Sequence, residues 1–257
     1  MNNLKLISLG QKFAFCMVSS SPLRKEASDG SEMVSQVLFG EPVNVIQIQE
    51  NWIEIETYFD GYHGWMDVKH VLAISEKEMR IWLDKLHFAP ITVTEILTPW
   101  GQQSLYPASF IGEQNFSIGP FSFVLPEEIA QEKTSAFELA EKYLNTPYLW
   151  GGKATNGIDC SGLVQSVFRM KGLNLPRDAY QQEEIGIEVD FEDIRNDDVS
   201  FFSNKNGKIS HVGILNENSA IIHASGRVRV DALTKEGIWN VDYGKLTHSL
   251  KNIKRFM

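Results

Sequence analysis

Along residues 12–75 apolar and polar positions alternate in short runs separated by turn residues. Val43–Ile48 and Trp52–Tyr58 are two such runs, and Phe13–Val18 before them is an unbroken apolar, strand-like stretch. A period of two turns one face of each run to a core and the other to solvent, which is strand behaviour. Ser19-Ser20-Ser21-Pro22 reads as a turn after Phe13–Val18. Asp60-Gly61 supplies a hairpin turn into Tyr62–Met66, and strands at this spacing predict a small β-barrel. The charged stretch Glu76–Lys85 is either a short helix or a linker. Strand-like runs return at Ile91–Leu97 and Phe121–Leu125, interrupted by Pro99, Gly101, Pro107 and Gly119, as in a second, degraded barrel.

Beyond residue 129 the period lengthens. Ser135 and Glu138 have the capping-box spacing, and Ala136, Ala140, Tyr143 and Leu144 form an apolar stripe that ends before Pro147. A second helix starts after Asp159, a good N-cap, presents Leu163, Val164, Val167 and Phe168 on one face and stops at Gly172. A third, short helix starts at Asp178, and strand patterns follow at Val199–Phe202, Ser210–Leu215, Ala220–Ala224 and Val228–Val230. Helices followed by strands predict a compact α+β domain. The expected layout is a β-barrel over 1–76, a second barrel-like module over 77–128 and the α+β domain over 129–257.

Composition narrows the class. An apolar content of 43% supports a real core, and a net charge of −9 offers no basic excess for nucleic acid or an anionic membrane. Cys16 and Cys160 are the only cysteines, too few for a disulfide framework or paired C-x-x-C metal spacing. Reduced thiols fit the cytoplasm. No apolar stretch follows Lys5 or Lys12 in the manner of a signal peptide, and no 18-residue apolar run occurs, so a cytoplasmic protein is expected.

Cys160 ends a glycine-rich approach, Trp150-Gly-Gly-Lys-Ala-Thr-Asn-Gly-Ile-Asp-Cys, and opens the second predicted helix. A thiol there is expected to ionise more easily than usual, because a helix start carries partial positive charge and unpaired N–H groups. The thiolate is the attacking species in cysteine chemistry. His211 and His223 lie on the two strands of a predicted hairpin. If Leu215 pairs with Ser219 around a three-residue loop with Asn218 left-handed, the two imidazoles face each other; a slip of one residue separates them. Taken singly, a buried cysteine or a strand histidine is more often structural. The combination reverses that balance. Cys16, in an apolar strand pattern, reads as core, and His63, His70, His87 and His248 read as surface residues.

Tyr148-x-Trp150-Gly151-Gly152, Asp159-Cys160-Ser161-Gly162-Leu163-Val164-Gln165, Leu175-Pro176-Arg177, Ser210-His211-Val212-Gly213-Ile214 and Ile222-His223-Ala224 resemble, in order, the motifs of NlpC/p60 cysteine peptidases. The resemblance covers about 135–225 and implies a papain-like fold with Cys160 as nucleophile, His211 as base and His223 as third polar group. One departure is the turn Asn196-Asp197-Asp198, where the family usually has Pro-Gly-Asp. Leu23-Arg24, the stretch from Ser31 to Glu41 and Gly61-Tyr62-x-Gly64-Trp65 resemble the bacterial SH3 domain that precedes the peptidase in γ-D-glutamyl-L-diamino acid endopeptidases.

That resemblance implies a muropeptide substrate with a free N-terminal L-alanine, cut between D-glutamate and the diamino acid in cell-wall recycling, by a monomer without metal or cofactor. A buried ammonium needs a carboxylate partner, and Asp159 and Glu32 are the candidates. Tyr148, Tyr62 and Ser161 are the further substrate-binding candidates. Competing readings are a zinc site built from Cys160, His211, His223 and Asp159, a non-catalytic wall-binding module, and an amidase or acyltransferase on the same scaffold.

Overall fold

The computed structural model describes residues 10–126, 129 and 134–256. The stretch read for a leader therefore lies mostly outside the described residues, as does part of the boundary near 129. The chain divides into two compact units between residues 131 and 132.

In the amino-terminal unit seven strands pair antiparallel: β1 (Phe13–Cys16), β2 (Ser20–Arg24), β3 (Met33–Leu38), β4 (Pro42–Gln49), β5 (Trp52–Thr57), β6 (His63–Asp67) and β7 (Val71–Ile74), in the order β3-β2-β6-β5-β4-β1-β7. Ser20–Arg24 is a strand and not the turn that its serines and proline suggest, since pairing with β3 and β6 overrides weak strand propensity. β1 shows why the second β-module does not stand apart. Ala14 and Cys16 point into the barrel core with Leu23, Val37, Ile53, Ile55 and Met66. Phe15, one residue out of phase, enters a second core with Leu72, Trp82, Phe110 and Phe123. Both faces of the strand are covered, as its unbroken apolar run Phe-Ala-Phe-Cys requires.

Helix α1 (Glu76–Lys85) is a helix because Ser75 and Glu78 cap it reciprocally. It inserts Met79 and Trp82 into the second core, where the Trp82 indole N–H donates to the Gly40 carbonyl at 2.9 Å. Six short strands complete the unit: β8 (His87–Phe88), β9 (Glu95–Thr98), β10 (Gly101–Ser104), β11 (Phe110–Ile111), β12 (Asn115–Ile118) and β13 (Phe121–Val124). They form a four-stranded sheet, β10-β9-β13-β12, and a β11-β8 pair. The described residues from 77 to 126 thus share one apolar core with the outer face of the barrel sheet.

The carboxy-terminal unit opens with α2 (Ala136–Glu141), capped by Ser135 and Glu138 as the spacing predicts. Tyr143 is buried, whereas Leu144 is exposed, because the helix ends before the stripe does. After the pair β14 (Lys153–Ala154) and β15 (Gly157–Ile158) come α3 (Cys160–Met170) and α4 (Ala179–Glu183). The strands β16 (Ile187–Glu188), β17 (Val199–Ser203), β18 (Ile209–Leu215), β19 (Ala220–Ser225), β20 (Arg227–Leu233), β21 (Gly237–Asn240) and β22 (Lys245–Arg255) follow, in the order β16-β22-β17-β18-β19-β20-β21. β22 also pairs with β21, so six strands close into a ring. Phe202, Leu215, Ile221, Leu233, Ile238 and Ile253, one from each strand of the ring, meet in its interior.

Helix α3 packs against β18 and β19 and is buried from Cys160 to Arg169, so it is a core helix with no wet face. The turn before β17 explains the departure at Asn196-Asp197-Asp198. Asp197 takes a left-handed backbone, φ 73°, which aspartate tolerates better than most residues. Its carboxylate accepts the Ala136 N–H at 2.6 Å and so adds a second cap to α2. Asp198 is held by both Nε and an Nη of Arg255, at 2.7 and 2.8 Å.

Candidate active site

The approach to Cys160 is a tight backbone knot. Leu149 N–H donates to the Ile158 carbonyl at 3.1 Å, Gly152 N–H to Leu149 at 2.9 Å and Asp159 N–H to Gly152 at 3.2 Å. The first turn of α3 rests on this knot so closely that a Cβ on Gly162 would lie 2.2 Å from the Gly152 carbonyl oxygen. Glycine at 162 is therefore a requirement of close approach.

Asp159 caps α3 through Gly162 N–H at 2.7 Å and accepts Gly151 N–H at 2.8 Å. The Arg177 guanidinium grips both its oxygens, at 3.1 and 2.6 Å, and also donates to Ser161 Oγ at 2.9 Å. Ser161 Oγ in turn donates to Asp159 at 3.3 Å. The Asp159 carboxylate thus accepts five donors and has its charge matched by a buried arginine.

The expected easy ionisation of Cys160 is not what this environment favours. A helix start stabilises an anion by about 0.3–1 kcal/mol, at most about 2. Full burial shifts a pKa by up to about 3–5 units, or about 4–7 kcal/mol. Burial first, then the Asp159 charge, push the Cys160 thiol up to about 12, against the pull of the Ser161 and Val212 N–H groups and Arg177. The thiol rests neutral. Its contact with the Val212 N–H sets it one peptide from His211.

The hairpin register differs from expectation by one loop residue. Leu215 pairs with Ile221, the loop is Glu217-Asn218-Ser219, and Ser219 is the left-handed residue, φ 57°. Asn216 fixes this, its side-chain oxygen accepting the N–H of Asn218 at 3.0 Å and of Ala220 at 2.9 Å. Moving the loop by one position shifts the pairing by two, so the faces are preserved. Continued along the strands, this register sets Gly213 opposite His223 and makes His211 its diagonal neighbour. A Cβ on Gly213 would lie 2.9 Å from His223 Cβ and 2.7 Å from two Ile221 atoms. The missing side chain is what lets His223 lean across to His211.

His211 Nε2 and His223 Nδ1 are 2.7 Å apart, and His223 Nε2 is 3.1 Å from Asp231 Oδ2. Arg229 holds both oxygens of Asp231, at 2.7 and 2.8 Å, and reaches Asp242 at 2.6 Å. His211, His223 and Asp231 are all buried. Burial, then the neighbouring His223 and His248, keep His211 well below the usual histidine range. Burial also lowers His223 despite the opposing pull of Asp231. Both imidazoles are neutral near pH 7.

Models of two families match the chain: the NlpC/P60 family over residues 145–246 and the bacterial dipeptidyl-peptidase SH3 domain over 23–71. The chain is 28% identical to gamma-D-glutamyl-L-lysine dipeptidyl-peptidase of Bacillus subtilis (strain 168), over 74% of this chain and 71% of that protein. It is 27% identical to dipeptidyl-peptidase 6 of Lysinibacillus sphaericus, over 80% of this chain and 86% of that protein. The crystal structure of an NlpC/P60 family protein from Bacillus cereus ATCC 10987 has the same fold, with TM-score 0.75, 18% identity and coverage of 95% of this chain and 99% of that one. Residues 145–246 are an NlpC/P60 domain. The chain is a cysteine-type peptidase with a bacterial SH3 domain ahead of its NlpC/P60 domain.

Within the NlpC/P60 domain Tyr148 is half-buried near Cys160. Burial first, then its proximity to Cys160 and Asp159, raise its pKa, so it remains a phenol with a proton to donate. In the SH3 domain Glu32 is exposed, and Tyr62 packs on the barrel core with its N–H donating to Thr57 Oγ1 at 2.8 Å. Cys16 is core, as read from the sequence. His63 and His87 are exposed, but two other histidines are not surface residues. His70 is half-buried against Ser21 Oγ at 2.9 Å. His248 stacks on His211, ring centroids 4.2 Å apart at 25°, and is held near pKa 4, chiefly by burial. Asp231, Arg229 and the grip of Arg177 on Asp159 were also not singled out. The alternation of Arg227–Leu233 was the available signal, since it puts Asp231 on the same face as buried Leu233. Among the described residues no group of three or more His, Cys, Asp or Glu side chains is arranged to hold a metal ion, and no helix is long and apolar enough to cross a membrane.

Proposed function

We propose that this peptidase hydrolyses the γ-D-glutamyl-L-diamino acid bond of peptidoglycan-derived peptides that carry a free N-terminal L-alanine, acting in cell-wall recycling in the cytoplasm. The observation that carries the reading is the 2.7 Å link between His211 and His223 on the strand whose Val212 N–H meets the Cys160 thiol. The similarity to two dipeptidyl-peptidases runs through both domains and supports the substrate class.

Nε2 of His211 is engaged by His223, so Nδ1 is the nitrogen left to take the Cys160 proton. Because the thiol and imidazole rest neutral, transfer accompanies attack on the γ-carbonyl of D-glutamate and no ion pair is stored beforehand. Backbone N–H groups at the start of α3 stabilise the oxyanion. His211 then protonates the leaving amine, and water releases the thioester. Tyr148 donates to the D-glutamate α-carboxylate, and Ser161, whose hydroxyl donates to Asp159, assists by holding Asp159 in place. Asp159, already matched by Arg177, contributes position more than free charge, which leaves Glu32, with Tyr62, as the residue to test for the ammonium requirement.

The test compares L-Ala-γ-D-Glu-meso-diaminopimelate, its L-lysine counterpart and their N-acetylated forms. Cleavage of the free-amine peptides alone, abolished in Cys160→Ala, is the expected result. Equal cleavage of acetylated peptides removes the free-amine requirement, and wild-type rates in Cys160→Ala remove the mechanism.

A further inference from the structure

The two imidazoles do not end the hydrogen-bonded chain. It continues from His223 to Asp231, and from Asp231 to Arg229 and Asp242. The order of groups sets the direction in which every proton points. A carboxylate only accepts, so at 3.1 Å from Asp231 Oδ2 the His223 Nε2 must carry its proton. A neutral imidazole has one N–H, so His223 Nδ1 is then a lone pair. At 2.7 Å it accepts from His211 Nε2, which therefore carries the His211 proton. His211 Nδ1 is left bare.

We propose that Asp231, clamped by Arg229, is a positioning residue that fixes the tautomers of both histidines and so keeps His211 Nδ1 ready to take the thiol proton. The inference rests on the reading of His211 as the base for Cys160. In the opposite polarity His223 donates from Nδ1, His211 holds its proton on Nδ1 and has no lone pair for the thiol. That arrangement also points the bare His223 Nε2 at a carboxylate oxygen, lone pair against lone pair, and Asp231 excludes it.

Arg229 matters because a protonated Asp231 could donate to His223 and reverse the chain. Its guanidinium places N–H donors on both carboxylate oxygens, leaving no favourable place for a proton. Burial alone would raise the Asp231 pKa, but the hydrogen bonds from His223 and Arg229 outweigh it and hold the group below the usual carboxylate range. Asn240 adds a weak donor to the same Oδ2 at 3.4 Å. Oδ2 therefore receives three donors and Oδ1 one among these contacts. An asparagine at 231 would turn its oxygen to the crowded side and still accept from His223. A leucine has nearly the same outline and no lone pair.

Tautomers are read directly by long-range 1H–15N correlation of the histidine rings near pH 7.5, in Cys160→Ala protein so that no thiol proton intervenes. The proposal expects the Nε2–H form at both His211 and His223, and an Nδ1–H signal at His211 overturns it without any change at Asp231. Asp231→Leu should give mixed tautomers, whereas Asp231→Asn should keep the wild-type pattern. On the Cys160 background, kcat for the free-amine tripeptide should fall about 100-fold or more in Asp231→Leu and less than about tenfold in Asp231→Asn, with KM little changed. Folded Asp231→Leu with a single Nε2–H tautomer and near-normal kcat overturns it. If Asp231→Leu does not fold, the spectrum of the Cys160→Ala protein decides alone. A wild-type protein inactive on the tripeptides but showing the expected tautomers would refute the proposed substrate and leave the polarity standing.

Discussion

Gly213→Ala adds a single methyl group, yet it strikes a place in the site where a Cβ has no room. The new Cβ would stand 2.7 Å from Cγ1 and Cδ1 of Ile221 and 2.9 Å from Cβ of His223. Ordinary carbon contacts begin near 3.5 Å, so the neighbours must retreat by roughly 0.5–1 Å. Ile221 is fully buried and His223 is fixed at both ring nitrogens, so neither retreats freely. Overpacking of this kind costs about 1–3 kcal/mol, which urea denaturation would read directly. The effect on catalysis should be larger. The His211–His223 separation of 2.7 Å does not survive an added 0.5–1 Å as a good hydrogen bond. Misplacing a reacting group by about 1 Å can cost about 100-fold in rate. The expected result is a folded protein with kcat on the free-amine tripeptide down about 100-fold, measured well below its melting transition. Adding Ile221→Ala should relieve part of the crowding but leave the contact with His223, so activity should stay low. A folded Gly213→Ala enzyme with kcat within about threefold of wild type, less than about 1 kcal/mol of barrier, would refute the role given to this glycine.

Arg177→Met strands the Asp159 carboxylate in a buried site, and losing one partner of such a pair should lower stability by about 3–5 kcal/mol in urea denaturation. Asp159→Asn in the same chain keeps the helix cap and removes the stranded charge, so the double variant should regain most of the loss. His211 and His223 have folded pKa values below their unfolded value near 6.5, so the unfolded chain binds more protons below that pH and stability falls as pH falls. Each contributes a slope approaching about 1.4 kcal/mol per pH unit, and denaturation midpoints that stay flat from pH 7.5 to 5 would contradict it. Cys160 has the opposite requirement, with a folded pKa raised from 9.0 to about 12, so stability should also decline above pH 9, and Cys160→Ala should remove that decline.

The elements that were legible in the sequence are those whose reason is local. The caps at Ser135 and Asp159 and the stop at Gly172, φ 84°, are carried by side chains or backbone within a few positions of the helix end they mark. The strands bearing His211 and His223 are short, mostly apolar runs, and a glycine-rich loop announces Cys160. What escaped is decided by distant parts of the chain. Ser20–Arg24 has no strand pattern and is a strand because β3 and β6 flank it. Lys245–Arg255 is rich in charge and becomes the longest described strand by closing the ring between β21 and β17. His248 lies in that strand, so its stacking on His211 was hidden for the same reason. The acidity of Cys160 was misjudged because a helix start is visible in sequence and burial is not.

The polar chain follows from sheet geometry in a way that no single motif contains. His223 pairs across the ladder with Arg229, and the register sets Gly213 on its other side. Its hydrogen-bond partners are the diagonal residues, His211 on one strand and Asp231 on the other. Each step climbs two residues along the next strand, a separation that only a long side chain spans. The directly opposed positions must then be something other than ordinary side chains. Gly213 leaves space, and Arg229 bends two residues along its own strand to clamp Asp231. A slip of one residue in either pairing would turn a member of the chain to the other face and break it. Closure of the strands into a ring opposes such a slip, because each is hydrogen-bonded on both sides. The apolar interior at Phe202, Leu215, Ile221, Leu233 and Ile238 and the polar diagonal beside it are thus held by the same register, and a change that loosens one should loosen the other.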